Sequence, residues 1–420
     1  MRILKLGMIV FLFLSNQLWA QSYGNYDKVP FAVGIFPPVN SNGTNAGNCI
    51  NQFSLNLISG YSAGLTGFEF AGFSNTERDF VRGVQYAGFF NFVNGDFTGF
   101  QFAGFGNFNR DVSRGFQFSG FANFNYAEAN GVLAAGFANF TRGKSLAIQW
   151  SGFANFCEDV QGVQATGFAN VVKGNGKVLQ FSGFSNIILG EVNGIQAAGF
   201  LNFSKAKMQN VQAAGFSNIT NGNLNGTQIA GFVNVAKKVN GLQLGTINIA
   251  DTIESGVPIG FLSIVRKGFR ELEVSFGEGL NTQLAFKIGV NQFYNIFAIG
   301  AQFLGSDEMW GVGYGIGTHL YNNDQTKIQL ELLSYQINEG REWTDHFNGL
   351  EQLKLTFAKS LGNHLRVFAG PTVNLLITDS QDNNGQKLYR DFAPYSFYSR
   401  TGKHTSMKGW IGLTAGIHFN

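Results

Sequence analysis

GFQFAGFGNFNRDVSRGFQFSGFANF, residues 99–124, states nearly the same phrase twice. Gln, a small residue, Gly, Phe, any residue and Asn return in that order along the chain. The glycine before Phe falls at Gly72, Gly88, Gly104, Gly120, Gly136, Gly152, Gly167, Gly183, Gly199, Gly215 and Gly231, a spacing of 16 with a single step of 15. An Asn follows three residues later, from Asn75 to Asn234, and a degenerate copy ends at Asn248. A fixed short period marks a repeat architecture, because one unit buries its inner face only against its neighbours. The period also separates the candidate folds. Membrane strands running up and down would alternate short turns with long loops, whereas this spacing does not alternate. A hairpin within 16 residues leaves five or six residues per strand, too few for the roughly 9 to 11 that cross a bilayer. One coil of a β-solenoid per unit puts every copy in the same surroundings. The expected fold is therefore all-β: a β-solenoid-like array of twelve 16-residue repeats, with one large antiparallel β-barrel as the alternative.

On the solenoid reading, Gln85, Gln101 and Gln117 stack coil over coil, as do Asn91, Asn107 and Asn123, their amides linked in ladders along the axis. Phe89, Phe105 and Phe121 stack likewise. The recurrent glycine marks a bend at which a Cβ would clash. Parity leaves one question open. Val84, Tyr86 and Phe92 alternate with Gln85, Ala87, Phe89 and Asn91, so either the bend at Gly88 turns Phe89 inward or one aromatic face stays uncovered. An uncovered face would mark a partner or a membrane surface.

After residue 267 the pattern changes to two-residue alternation. Leu272, Val274 and Phe276 alternate with Glu271, Glu273 and Ser275; Ile328, Leu330 and Leu332 alternate with Lys327, Gln329 and Glu331. Similar runs cover 283–290, 293–304, 309–321, 352–357, 363–377 and 405–419, about eight strands in all. They fit an eight-stranded outer-membrane barrel with its apolar face to lipid; a soluble barrel or sandwich is the alternative. The polar parity carries Glu271, Glu273 and Glu331 against Lys287, Lys327, Lys354 and Arg366, charges that would pair and plug so narrow a lumen. The long connection near 378–406 should be external. The expected organisation is a signal peptide at 1–20, an N-terminal β cap segment at 21–64, repeats at 65–250, a connector at 251–267 and a C-terminal barrel at 268–420.

The first residues, MRILKLGMIVFLFLSNQLWAQ, place Arg2 and Lys5 before the apolar run Leu6 to Leu14 and close on Ala20, the order of a secretory signal. Without Arg2 and Lys5, the 29 basic residues fall to 27 against 26 acidic ones, and a nucleic-acid partner loses its electrostatic footprint. Gly at 56 and Phe at 45, with 13% charged residues, is too aromatic for disorder. Cys49 and Cys157 read as two isolated buried thiols rather than a pair.

CINQFSLNLISGYSAG (49–64), the GVQ-AGF-N repeats, GLQLGTINIADTIESGVPIGFLSIV (241–265) and NTQLAFKIGV with FYNIF together resemble a family of repeat-containing surface or outer-membrane proteins of Bacteroidota-type bacteria. The likeness covers most of the chain beyond the signal. It implies an envelope location and supplies neither an activity nor site residues.

Candidate chemistry is sparse. Gly60-Tyr61-Ser62-Ala63-Gly64 matches the nucleophile elbow, which requires a strand, a sharp turn and a helix, yet it runs into β repeats. VGYGIG at 312–317 imitates a dinucleotide fingerprint, whose pyrophosphate needs a helix N-terminus; here the glycines alternate within a strand. His319, His346, His364, His404 and His418 show no metal-ligand spacing. Glu339, Glu342, Asp345 and His346 form one acidic loop, and His404 with Ser406, or His346 with Asp345, is the conceivable rim chemistry of a lipid-acting barrel.

A unit repeated twelve times builds a surface, whereas a catalytic site needs different residues converging once. The sequence thus predicts a non-enzymatic repeat protein of the outer membrane or cell surface of a Gram-negative bacterium, with a structural, adhesive or scaffolding role. No catalytic residue, cofactor or metal is assigned. Its expected partners are outer-membrane lipid and a protein or glycan at the surface, with no nucleic acid. The alternative is a lipid-modifying barrel enzyme or a small-ligand transporter.

Overall fold

Sixteen residues close one coil. Ser113–Ser119 forms a seven-residue strand, Gly120 and Phe121 turn a corner, and Ala122–Asn125 forms a four-residue strand before the chain climbs to the next level. The computed structural model describes residues 26–302, 309–340, 343, 346–362, 364–379, 393, 395–402 and 405–419. Each coil pairs in parallel with the next and in the register of the repeat. Gln85 lies beside Gln101 and Gln101 beside Gln117, while Asn91 lies beside Asn107 and Asn107 beside Asn123. Parallel pairing of consecutive copies excludes the single antiparallel barrel. The fold is a parallel β-solenoid of about 14 turns with a closed eight-stranded antiparallel barrel.

Parallel pairing extends beyond the lettered repeats at both ends. Asp27–Phe36 pairs with Cys49–Asn56, which pairs with Ser59–Ala71, so the segment expected as a cap already forms coils. Ile247–Ile259 pairs with Leu262–Val265, so the segment expected as a connector contributes coil as well. The backbone satisfies the coil geometry where side chains drifted from the consensus, hence about 14 turns rather than twelve repeats. The chain divides into two compact units, residues 1–174 and 175–420.

Parity resolves in favour of the uncovered face. In the first unit the interior holds Gln85, Gln101, Asn91, Asn107 and Asn123, all fully buried, with Val81, Phe97 and Ala122. Tyr86, Phe92, Phe100 and Phe121 point outward. Amides can fill a core only if they are bonded, and along the ladders they are, the exceptions being the ends, where Asn75 Oδ1 and Gln243 Oε1 are buried without a partner. Asn123 Nδ2 donates to Asn139 Oδ1 at 2.9 Å and to the Ala134 carbonyl at 3.0 Å, and Asn123 Oδ1 accepts from Asn107 at 2.9 Å. The asparagine ladder donates toward the C-terminus. The glutamine ladder donates the other way, from Gln101 to Gln85 and from Gln85 to Glu69, each at 3.0 Å. Its last member has only to accept, which a carboxylate does. Leu133 occupies one glutamine position and packs with Ala129 and Ala147.

Replacing Asn123 by Leu should therefore leave one N–H of Asn107, whose other N–H stays with the Phe118 carbonyl, and the Asn139 Oδ1 without partners, at about 1–3 kcal/mol for each buried group. Chemical denaturation of the solenoid should show the midpoint fall. An unchanged midpoint would mean that the ladder contributes nothing.

In the second unit, Phe269–Gly277, Thr282–Val290, Phe293–Gln302, Met309–Asn322, Thr326–Glu339, Asn348–Ser360, Leu365–Asp379 and Thr405–Phe419 follow one another antiparallel. The last closes on the first, from Leu272 beside Phe419 to Gly277 beside Thr414. A short strand, Tyr398–Thr401, adds to the last one. The strand ends Val290 and Phe293, Asn322 and Thr326, and Ser360 and Leu365 lie at one end of the barrel; Gly277 and Thr282, Gln302 and Met309, Glu339 and Asn348, and Asp379 and Thr405 lie at the other. Strands of 9 to 15 residues are long enough to cross a bilayer.

Candidate functional surface

The outer faces of the coils are aromatic because the inner ones are polar. In a strand, successive side chains alternate faces, and the ladders take one parity. The other parity carries the rings: Phe100 on Phe116 at 4.8 Å, Phe102 on Phe118 at 5.3 Å and Phe108 on Phe124 at 4.7 Å. The corner column adds Phe105 on Phe121 at 4.7 Å and Phe121 on Phe137 at 4.9 Å. Where one column is interrupted by Ala134, between Phe118 and Trp150, and by Ala165, after Trp150, a shallow groove of about 770 Å³ opens over Gly104, Gly120 and Gly136. The second unit repeats the arrangement. Phe184, Phe200, Phe216 and Phe232 stack at 4.8–5.2 Å and remain 40–43% exposed.

At the C-terminal end of the solenoid, within the second unit, the last coil sits on the outer wall of the barrel. Asn295 shares the outward parity of Phe297 and Ile299, yet it is fully buried. Its Oδ1 accepts from the Ser263 backbone N–H at 2.8 Å, and its Nδ2 donates to the Gly260 carbonyl and to the Tyr314 hydroxyl, each at 2.8 Å. Ile288, on the outward parity of Phe286, is buried too, whereas Phe286 is exposed. Elsewhere the wall is apolar and open, with Leu284, Leu332, Leu353, Phe357 and Leu413 exposed.

The lumen is filled. Lys287 Nζ lies 2.6 Å from Glu273 and 3.7 Å from Glu271, and it hydrogen-bonds Glu331. Lys327 pairs with Glu271 at 2.9 Å, and Lys354 reaches Glu273 at 3.6 Å. His418 lies 3.1 Å from Glu273 and 3.4 Å from Glu271. Leu280, Tyr294, Tyr335, Leu350 and Trp410 pack as an apolar cluster in the same interior. The charges of both signs read from the polar parity thus meet inside the barrel.

Among the described residues, the candidate catalytic residues do not converge. Ser62 lies within the strand Ser59–Ala71, without the turn and helix of an elbow, and its hydroxyl donates to Glu77 at 2.5 Å. Gly313 and Gly317 of VGYGIG make room inside the barrel for Tyr335 and Tyr294. His319 faces the Asn291 carbonyl at 3.2 Å, and His364 is exposed. Glu342 and Asp345, before His346, lie outside the described residues, as does His404, before Ser406. Among the described residues, no group of three His, Cys, Asp or Glu is placed to hold a metal. Cys49 and Cys157 are buried and unpaired; burial pushes the Cys157 thiol up to about 12.

Sequence reasoning passed over two features. Glu69 takes a glutamine position, beside Gln85, and Glu77 takes the position of Val93, so two carboxyls are fully buried in adjacent coils. The misfit of Glu69 to the repeat was visible in the letters. Burial, then the neighbouring Glu69 carboxyl and Asp79, hold Glu77 well above the usual carboxylate range. A raised folded value means that the proton stabilises the fold below the ordinary carboxyl range. That contribution is lost as pH rises toward the folded value. Glu77→Gln should therefore protect residues 59–87 from hydrogen exchange at pH 8 and change little at pH 4. Equal protection of both proteins at pH 8 would remove this role. The other feature is Asn295, the polar misfit in the apolar parity of FYNIF.

Comparison with family models, with curated proteins and with solved structures found no match.

Proposed function

We propose that this is a non-enzymatic envelope protein, held in the outer membrane by its barrel, whose work is done by the surface of its solenoid as a structural scaffold. One observation carries the reading: among the described residues, what repetition builds on the outside is an array of rings, while the polar groups that chemistry would use are consumed inside, in ladders and ion pairs. The open apolar wall supports a lipid-facing barrel. The filled lumen favours an anchor over a transporter. The opening segment with Arg2, Lys5 and Ala20 accords with export.

Cell fractionation tests the location: the protein is expected with the outer membrane and resistant to salt extraction, and recovery in the soluble fraction would refute it. A null strain tests the role. Complementation with the chain lacking residues 65–250 should match the null in detergent sensitivity, while His346→Ala with His404→Ala should restore the envelope. The reverse pattern would favour a barrel enzyme.

A further inference from the structure

We propose that the coils between Asn175 and Val265 lie edge-on in the periplasmic leaflet of the outer membrane, their corner phenylalanines among phospholipid acyl chains and their charged edge at the head groups. This rests on the reading of the barrel as a membrane anchor.

The first support is the partition of charge around each coil. From Lys177 to Lys267, every charged residue lies five to nine positions after a corner, the corners being Phe168, Phe184, Phe200, Phe232, Thr246 and Phe261. None lies on the Gly-Phe corner itself. Along this edge Lys205, Lys207, Lys237, Lys238, Arg266 and Lys267 outnumber Glu191, Asp251 and Glu254. A basic edge suits phosphate, and an apolar corner suits hydrocarbon. Depth agrees as well. Five residues of extended chain reach roughly 17 Å at about 3.3 Å each, close to half of a hydrocarbon core of about 30 Å.

The second support is continuity with the barrel wall. Phe261, the corner of the last coil, stacks on Tyr314 at 4.8 Å and meets Phe297 edge-on at 6.0 Å. Both rings belong to the outward parity, the one that would face lipid. The solenoid therefore meets the barrel on its wall rather than over its mouth. The Asn295 contacts fix the level: Asn295 lies in Phe293–Gln302, just after the two-residue connection 291–292. Short connections of outer-membrane barrels face the periplasm. A row of exposed rings that starts at Phe261 on that wall and, after Thr246, resumes at Phe232 meets acyl chains without leaving the plane of the membrane.

The test uses the unaltered full-length protein. It is reconstituted in vesicles of phosphatidylethanolamine and phosphatidylglycerol doped with a lipid carrying a photoactivated carbene precursor at its acyl terminus. After irradiation, tryptic peptides 178–205 and 208–237, which contain the corner phenylalanines, should be labelled at a yield comparable to that of the wall peptide 328–341. A labelled wall with bare coil peptides overturns the proposal, whether water or a second copy covers the rings. A bare wall overturns the membrane reading of the barrel and this inference with it. Protease applied to intact cells settles the leaflet: the coils should survive, and their loss from whole cells would overturn the periplasmic placement.

Discussion

Gly120→Val is expected to unravel the solenoid around its site. A Cβ at Gly120 would overlap the carbonyl oxygen of Gly104, and the same holds one level on, where Gly136 faces the carbonyl of Gly120. The glycine column is where backbone crosses over backbone. Relief by moving the corner is blocked, because Gly120 N–H donates to Ala103 at 3.1 Å and Phe121 N–H to Phe105 at 2.9 Å. Displacing these groups breaks pairing on both sides of the coil. The effect should belong to the rare class above about 4 kcal/mol. Limited trypsin digestion should read it as new cleavage at Arg110, Arg114 and Arg142, sites spared in the parent. Phe121→Ala removes an exposed ring and should cost far less. Equal protease resistance of Gly120→Val and the parent would show that the corner has room that the backbone geometry denies.

Lys287→Met should be the most damaging single change in the barrel. Inside the lumen Glu271, Glu273 and Glu331 balance Lys287, Lys327 and Lys354, and Lys287 touches all three carboxylates. Removing one partner of a buried ion pair costs about 3–5 kcal/mol, because the other charge stays buried. Here three carboxylates would share two lysines. The heat-induced mobility shift of the barrel in detergent should move to markedly lower temperature. Adding Glu273→Gln to Lys287→Met should recover part of the loss by restoring the balance of charge. An unchanged transition in Lys287→Met would mean that the lumen admits enough water to solvate the charges.

The repeat was legible because identical letters every 16 positions require identical surroundings, and a parallel coil is the arrangement that supplies them. The barrel was legible for a related reason: the alternation between Leu272 and Phe419, though broken by inward Tyr294 and Tyr335 and outward Asn295, separates an apolar wall from an interior whose polar parity already held both signs of charge. Some features were not legible. Whether Phe89 or Asn91 points inward depends on how the chain turns at Gly88, and alternation alone is symmetric between the two faces. The ends of the solenoid were hidden because pairing is a backbone property that continues after the side chains diverge.

What the sequence determined by itself was therefore the kind of architecture, a repeated β coil followed by a two-faced barrel, since periodicity is a local property written in order along the chain. Only the tertiary structure decided that the amides are inside and the rings outside, and that Asn295 on the barrel wall receives the last coil. Those outcomes depend on which groups, far apart in sequence, meet and satisfy one another's hydrogen bonds. Spacing along the chain carries no record of that.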